Sequence, residues 1–443
     1  MIDGLKPYPE YKDSGVPWLG KIPLRWDVRR MKLLLREVDS RSANGKEQLL
    51  RVSQYTGVTQ RKSNDGSDAP DTRASSLVGY KRVAVDDLVI NIMLAWNGSM
   101  GISRYDGIAS PAYCVYRLKS GAQPWYYHEL LRLPLYKGRI KAVSTGVIES
   151  RLRLYSDDLG RIEAIQPPLD EQDAIVRFLD HANGRIERYL RAKKRELTLV
   201  SEMLQNVTQH AMQLPGAKNL RLSVAAEAMS RPVKRQAGHS YTPIGLYNRG
   251  RGIFHKPNTD GAHLGDSDFA WVEDGDLVIS GQFAWEGAVA LARAKDAGCV
   301  ASHRYPILRG RREYATSAVL LALLRTPYGA MLLDQHSRGA AGRNRPLNAR
   351  TFLKEKIPIP PLSAQARITD LLDQEYSVTQ SLAKAVRFVN EYRTRLVADV
   401  VTGKLDVRAA ARQLPAAGGE LSDGADQSDG LDESDLSGET ALE

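Results

Sequence analysis

Only two cysteines, Cys114 and Cys299, occur in the 443 residues, and no CxxC pair exists. That excludes a disulfide framework and a zinc ribbon, and it fits a reducing compartment. No apolar run approaches the roughly 20 residues that cross a membrane. The opening stretch MIDGLKPYPEYKDSG has no apolar signal core. A cytoplasmic protein without membrane contact is therefore expected. Catalytic signatures are missing too: no NPPY or DPPY tetrapeptide, no GxxxxGK(S/T) phosphate loop, no HExxH. Gly250-Arg251-Gly252 lacks the third glycine of a dinucleotide turn. The eight histidines form no close cluster with acids. The expectation is a non-catalytic chain with no cofactor or metal of its own.

Basic charge is abundant instead, and it is unevenly spread. The net charge is +10, yet no Lys or Arg follows Arg412, while nine Asp and Glu do. Setting those nine negatives aside leaves residues 1–412 at +19. A folded body that basic suits a polyanionic partner. The Gly/Ser/Asp-rich end is too poor in apolar residues to fold, so 409–443 is expected to be a disordered acidic tail.

One segment occurs twice. Residues 165–180 read IQPPLDEQDAIVRFLD, and 357–373 read IPIPPLSAQARITDLLD. Pro167, Pro168, Leu169, Gln172, Ile175, Leu179 and Asp180 each recur 193 positions later, as Pro360, Pro361, Leu362, Gln365, Ile368, Leu372 and Asp373. The repeat extends upstream. DDLVIN with Ala95, Trp96 and Gly98 parallels GDLVIS with Ala284, Trp285 and Gly287 at an offset of 189. Ser110 and Tyr113 parallel Ser302 and Tyr305 at 192. The drift implies a short insertion in the second copy between Gly287 and Ser302. A period this long is a duplicated domain-sized half, not a solenoid unit.

Each half begins with a mixed α/β region. DLVI reads as a buried strand, with turns at Asp86-Asp87 and Gly275-Asp276 before it. Residues 315–333 read as helical, and 126–135 fill the same place in the first half. Trp96 and Trp285 read as core side chains beside the strand; stacking on a base is the competing reading. After each diproline the apolar period changes to threes and fours. The first series runs Ile175, Leu179, Ala182, Ile186, Leu190, Leu197, Val200, Leu204, Val207, Ala211, with Lys193 in one seam position. The second runs Ile368, Leu371, Val378, Leu382, Ala385, Val389, Tyr392, Leu396, Val400, with Glu375 in a seam slot. Such stripes mark a coiled-coil seam, and neither helix would be stable alone. Antiparallel pairing is the natural geometry for two like halves.

The expected architecture is α+β: two α/β recognition domains separated by two long helices in an antiparallel coiled coil, with a pseudo-twofold repeat. Its parts are an N-terminal segment at 1–26, domain one at 27–165, a spacer helix at 166–212, domain two at 213–358 and a second spacer helix at 359–408. Two unlike basic modules at a fixed separation suit duplex DNA read at two half-sites.

Contacts are expected from the loops. In the first half these are Arg61, Lys62 and Asn64, then Lys141, Ser144, Arg151 and Arg153. In the second they are Arg249, Arg251, His255 and Lys256, then Arg338, Arg343, Asn344 and Arg345. Arg and Lys meet phosphates, and Arg and Asn can also grip guanine and adenine edges. The plain alternative is a set of solvated surface charges. Lys193, Lys194 and Arg195 lie either along a DNA spacer or on a solvated helix face.

YKDSGVPWLGKIPLRWDVRRMK (11–32), the paired PPL-x-x-Q-x-x-I segments and VVTGKLDVR (400–408) together resemble the specificity subunit of type I restriction–modification systems. The resemblance covers about residues 8–408, and it implies that the N-terminal segment packs near the C-terminal helix. It implies that each domain reads one half of a bipartite, asymmetric site. It also implies docking of two modification (methyltransferase) subunits and, in the full complex, restriction/translocase subunits. S-adenosylmethionine, ATP and Mg would then serve those partners and not this chain. The acidic tail departs from the family pattern. A protein–protein adaptor with two basic domains on a coiled-coil rod is the rival expectation.

Overall fold

In the computed structural model, residues 5–61, 74, 76–148, 151–339 and 345–415 are described. The chain divides into two units, Met1–Tyr189 with Val386–Glu443, and Leu190–Ala385.

The two units have the same topology. The first contains a four-stranded antiparallel sheet in the order Leu35–Glu37, Tyr113–Leu118, Leu88–Asn91, Met100–Ile102. The second repeats it as Ala226–Ala228, Ile307–Gly310, Leu277–Ile279, Val289–Leu291. The LVI strands are apolar throughout because both faces are covered. Leu88 and Ile90 join the helix-lined core, while Val89 joins a second cluster with Leu50, Val52 and Val58. Leu277 and Ile279 divide from Val278 in the same way. The short insertion in the second copy forms a 3-10 turn, Ala294–Asp296.

The turn before each strand does more than reverse the chain. Asp87 is buried and accepts two bonds from Arg117, at 2.8 and 3.0 Å. Asp276 is buried and pairs with Arg231 at 2.8 Å and Arg309 at 2.8 Å. Arg117 and Arg309 correspond in the repeat, so one ion pair closes both sheets. Such a pair becomes costly to leave half-made once it is desolvated.

The repeated PPL-x-x-Q motif ties each long helix to its sheet domain. The helices run Leu169–Met212 and Leu362–Val401, each starting at the residue after the diproline, as proline's missing N–H dictates. The buried Gln172 donates to Pro167 O at 2.8 Å and Gly121 O at 3.2 Å, and accepts from Gln123 N at 2.8 Å. The buried Gln365 donates to Pro360 O at 2.9 Å and Tyr314 O at 2.6 Å. Gly121 and Tyr314 are again repeat partners. One amide therefore satisfies a carbonyl at the helix start and another in the globular domain.

Both long helices contribute to each core. In the first unit Ile175, Phe178, Leu179 and Ala182 pack with Leu396, Val397, Val400 and Val401. In the second Leu204 and Ala211 pack with Ile368, Leu371 and Leu372. Within each unit the N-terminal part of one helix meets the C-terminal part of the other, so they run antiparallel. The polar seam slots are resolved locally. Glu375 accepts from Ser201 at 2.5 Å and from Arg325 at 2.5 and 2.8 Å. Lys193 turns to Glu196 at 2.8 Å.

Glu171, buried in the first turn of its helix, gathers both chain ends of the first unit. It accepts from Trp26 Nε1 at 2.8 Å and Tyr8 Oη at 3.1 Å, and faces Arg408 at 3.4 Å. Lys6 bridges Asp406, and Tyr11 Oη donates to Gly403 O at 3.1 Å. A further helix, Arg408–Gln413, buries Ala411. Described structure thus continues past 409, where the tail was expected to begin, because Ala411 joins the core around Trp26. Residues 416–443 lie outside the described residues. The expected single helix at 315–333 is two helices, Ser317–Leu324 and Pro327–Gln335. Pro327 allows only a helix start there.

Replacing Gln172 or Gln365 by Leu strands the buried carbonyl of Pro167 or Pro360 and should cost about 1–3 kcal/mol each, read as a lower denaturation midpoint. Glu375 supplies a pH dependence. Burial pushes its pKa up, but Arg325 and Ser201 bring the net value below the ordinary 4.5. Its contribution is then complete above about 4.5 and lost as pH falls through the lowered native value. Glu375→Gln should flatten that part of the acid-unfolding curve.

Candidate nucleic-acid interface

Each unit carries a hairpin beside its main sheet, and each hairpin tip is fixed against the tryptophan turn. In the first unit the hairpin pairs Leu50–Ser53 with Gly57–Gln60. Arg132 donates to four carbonyls: Gln54 O at 2.9 Å, Tyr55 O at 2.7 Å, Gly98 O at 3.2 Å and Met100 O at 2.7 Å. One guanidinium thus fastens the tip and the turn together, and charge-assisted bonds of this kind are strong. Tyr55 stands 76% exposed on that tip. His128 beneath it accepts from Ile102 N at 3.1 Å. Burial, then the charges of Arg132, Arg104 and Arg393, push its pKa down to about 3, so it is neutral and structural.

In the second unit the hairpin pairs Ile244–Leu246 with Ile253–His255. Its tip bonds directly to the tryptophan turn. Arg249 N donates to Glu286 O at 2.9 Å and Gly250 N to Gly287 O at 2.7 Å. Arg249 and Gly250 both have positive φ, at 57° and 65°. A side chain on Gly250 would meet Arg325 Nε at 2.9 Å. The Gly-Arg-Gly sequence is therefore tip geometry. Arg249 and Arg251 are exposed, and Arg251 lies 5.4 Å from the Tyr247 ring centroid.

Trp96 and Trp285 sit on equivalent 3-10 turns, Ala95–Asn97 and Ala284–Glu286. Gly98 and Gly287 close these turns at φ 98° and 71°. The expectation of core tryptophans is corrected: alanines 95 and 284 are fully buried, while both indoles are half-buried. The 3-10 turn rotates the alanine inward and leaves the next residue at the rim. Lys141 Nζ lies 5.6 Å from the Trp96 ring centroid, and Arg345 Cζ lies 4.8 Å from that of Trp285.

The remaining expected contacts fall as follows. Arg61 is half-buried at the hairpin's end, its N donating to Leu49 O. Ser144 donates to Ile140 O at 2.7 Å. Arg151 and Arg153 are exposed and line an open groove of about 440 Å³ with Val147, Ile148 and Tyr155. Lys256 is exposed, and Arg338 is exposed with Nε donating to Gln335 O at 3.3 Å. His255 is drawn elsewhere: its Nε2 meets the buried Asp296 at 2.8 Å and Cys299 Sγ at 3.6 Å. Both partners share one ring nitrogen, whereas a proton relay needs them on opposite nitrogens. Burial raises the pKa of Cys299 and of Cys114, which keeps both thiols protonated. Lys62, Asn64, Arg343 and Asn344 lie outside the described residues.

Sequence reasoning missed Tyr55 and Arg132. An isolated Tyr between two short β segments was a tip signal. Nothing local marks Arg132, whose acceptors lie 32 to 78 positions away. Among the described residues, no group of three or more His, Cys, Asp or Glu is placed to hold a metal, and no helix is long and apolar enough to cross a membrane.

No family model and no curated protein matches the sequence. The fold does have solved counterparts. A structure described as the basis of complex assembly and conformational transition of the type I R-M system is similar over 86% of this chain and 98% of that one, at 16% identity and a TM-score of 0.54. The HsdS subunit from Thermoanaerobacter tengcongensis is similar over 86% and 98%, at 18% identity and 0.44. The type I restriction–modification S subunit from M. genitalium is similar over 85% and 95%, at 11% identity and 0.46. The first of these shows a shared fold.

Arg132→Leu should free the tip and the tryptophan turn together. Amide exchange at residues 54–57 and 98–101 should quicken by tenfold or more, from the loss of about 1.5–3 kcal/mol per charged hydrogen bond. The amides of Leu88–Asn91 should be unchanged.

Proposed function

We propose that the chain is the sequence-specific DNA-binding subunit of a type I restriction–modification complex. One observation carries this reading: two units share a sheet topology, ion pair and helix junction, yet differ at the fixed hairpin tips, Tyr55 against Arg249 and Arg251. A conserved frame with unlike tips suits two modules reading two different half-sites. The basic body and the fold shared with a type I R-M structure support the same reading.

On this proposal each unit reads one half of a bipartite asymmetric site in double-stranded DNA. The continuous long helices set the unread gap and dock two modification subunits, with restriction/translocase subunits joining the full complex. The chain chooses the address and performs no chemistry. S-adenosylmethionine, ATP and Mg belong to the partners, and the assembly works in the cytoplasm.

Methylome sequencing of the host with and without the chain tests the proposal. A bipartite methylated motif should vanish on deletion, and exchange of residues 216–357 with a homologue's should change one half of the motif only. An unchanged methylome on deletion would overturn the proposal in favour of an adaptor.

A further inference from the structure

The two tryptophan turns share a feature that the repeat itself does not copy. Lys141 stands on the helix Pro134–Val143, against which the Trp96 turn packs. The matching helix is Pro327–Gln335, against which the Trp285 turn packs. At the offset of 193, the residue matching Lys141 is Asp334, so the second half has an acid where the first has the cation. A cation nevertheless covers Trp285. It is Arg345, which reaches back from beyond the helix and pairs with Asp334 at 2.8 Å. Two non-equivalent residues thus place positive charge over equivalent indoles.

Simple inheritance does not explain this, because the positions differ. Generic surface charge does not explain it either, because the substituted acid at 334 is itself used to hold the replacement arginine. The geometry points to a shared anchor for the phosphodiester backbone: Trp96 with Lys141 in one half, Trp285 with Arg345 in the other. The inference rests on the DNA-binding reading above and assigns these pairs a task distinct from sequence reading. Each indole already has a cation on one face, so a stacking base would have to displace it. A phosphate can meet each cation while its contact with the ring stays in place, and in the second unit it would share Arg345 with Asp334. The ring provides a half-buried floor that holds the charge in place by attraction to its π face. The two indoles differ in their N–H groups: Trp96 Nε1 donates to Met93 O at 3.2 Å, whereas Trp285 Nε1 is buried with no acceptor among the described residues. The anchors adjoin the hairpin tips through Arg132 in one unit and Arg249 N in the other. Backbone registration and base reading would then be neighbours on one surface of each unit.

The test is binding of the full chain to duplex DNA of arbitrary sequence, followed by fluorescence anisotropy as salt is raised from about 50 to about 200 mM. Lys141→Gln and Arg345→Gln should each reduce the slope of log K against log salt by about 0.9, so that roughly threefold less affinity is lost over that range. All duplexes should be affected alike. The double variant Asp334→Lys with Arg345→Gln returns a cation to the place it holds in the first half, and should restore the slope. Slopes unchanged in both single variants, with only a lower melting temperature, would overturn the anchor and leave the pairs as packing contacts. A single-variant loss that Asp334→Lys fails to restore would also overturn it. If the unaltered chain shows no salt-dependent duplex binding, the DNA-binding reading itself fails, which is a separate result.

Discussion

The first turn of each long helix is locked to the sheet domain beside it. That lock is one buried glutamine amide in each unit. Gln172 and Gln365 each spend their two N–H groups on a carbonyl of the diproline and a carbonyl of the globular domain. Pro167 O and Pro360 O each accept one of these bonds, and a buried carbonyl left without a donor is costly. The first turns of helices 44 and 40 residues long are therefore tied to the sheet domains of their own units. The first unit adds a second constraint. Glu171, one residue before Gln172, draws Trp26, Tyr8 and Arg408 to the same helix start. Its counterpart in the repeat is Ala364, so this closure belongs to the unit that contains both chain ends.

The same economy organises the sheets. A central strand with two covered faces needs no polar residue, which is why LVI recurs without alternation. The polar requirement moves to the turn before it, where Asp87 and Asp276 are buried and answered by arginines from the neighbouring strand. Because the frame is satisfied internally in this way, the tips beyond it can vary in length and chemistry without disturbing it. The first tip is held by Arg132. In the second unit the equivalent arginine, Arg325, instead grips Glu375 of the long helix, and the longer tip bonds to the tryptophan turn through its own backbone. One position has thus been put to two uses while the surrounding sheet kept its form.

The sequence by itself determined the duplication, the strand at each LVI, the start of each long helix after Pro-Pro and the stripes that pair those helices. The duplication is legible by direct comparison of the two halves, and the rest because it is local: a short apolar run after a turn, a period of three to four, or a missing N–H. The tertiary structure alone decided the role of Gln172, the closure at Glu171, the fastening of Tyr55 by Arg132 and the partial exposure of Trp96 and Trp285. Each of these depends on atoms brought together from distant parts of the chain, as with Tyr8 and Glu171, which are 163 positions apart. Composition marks a tryptophan beside a buried strand as apolar, but only the sense of rotation in the 3-10 turn determines that alanine takes the core and the indole takes the rim.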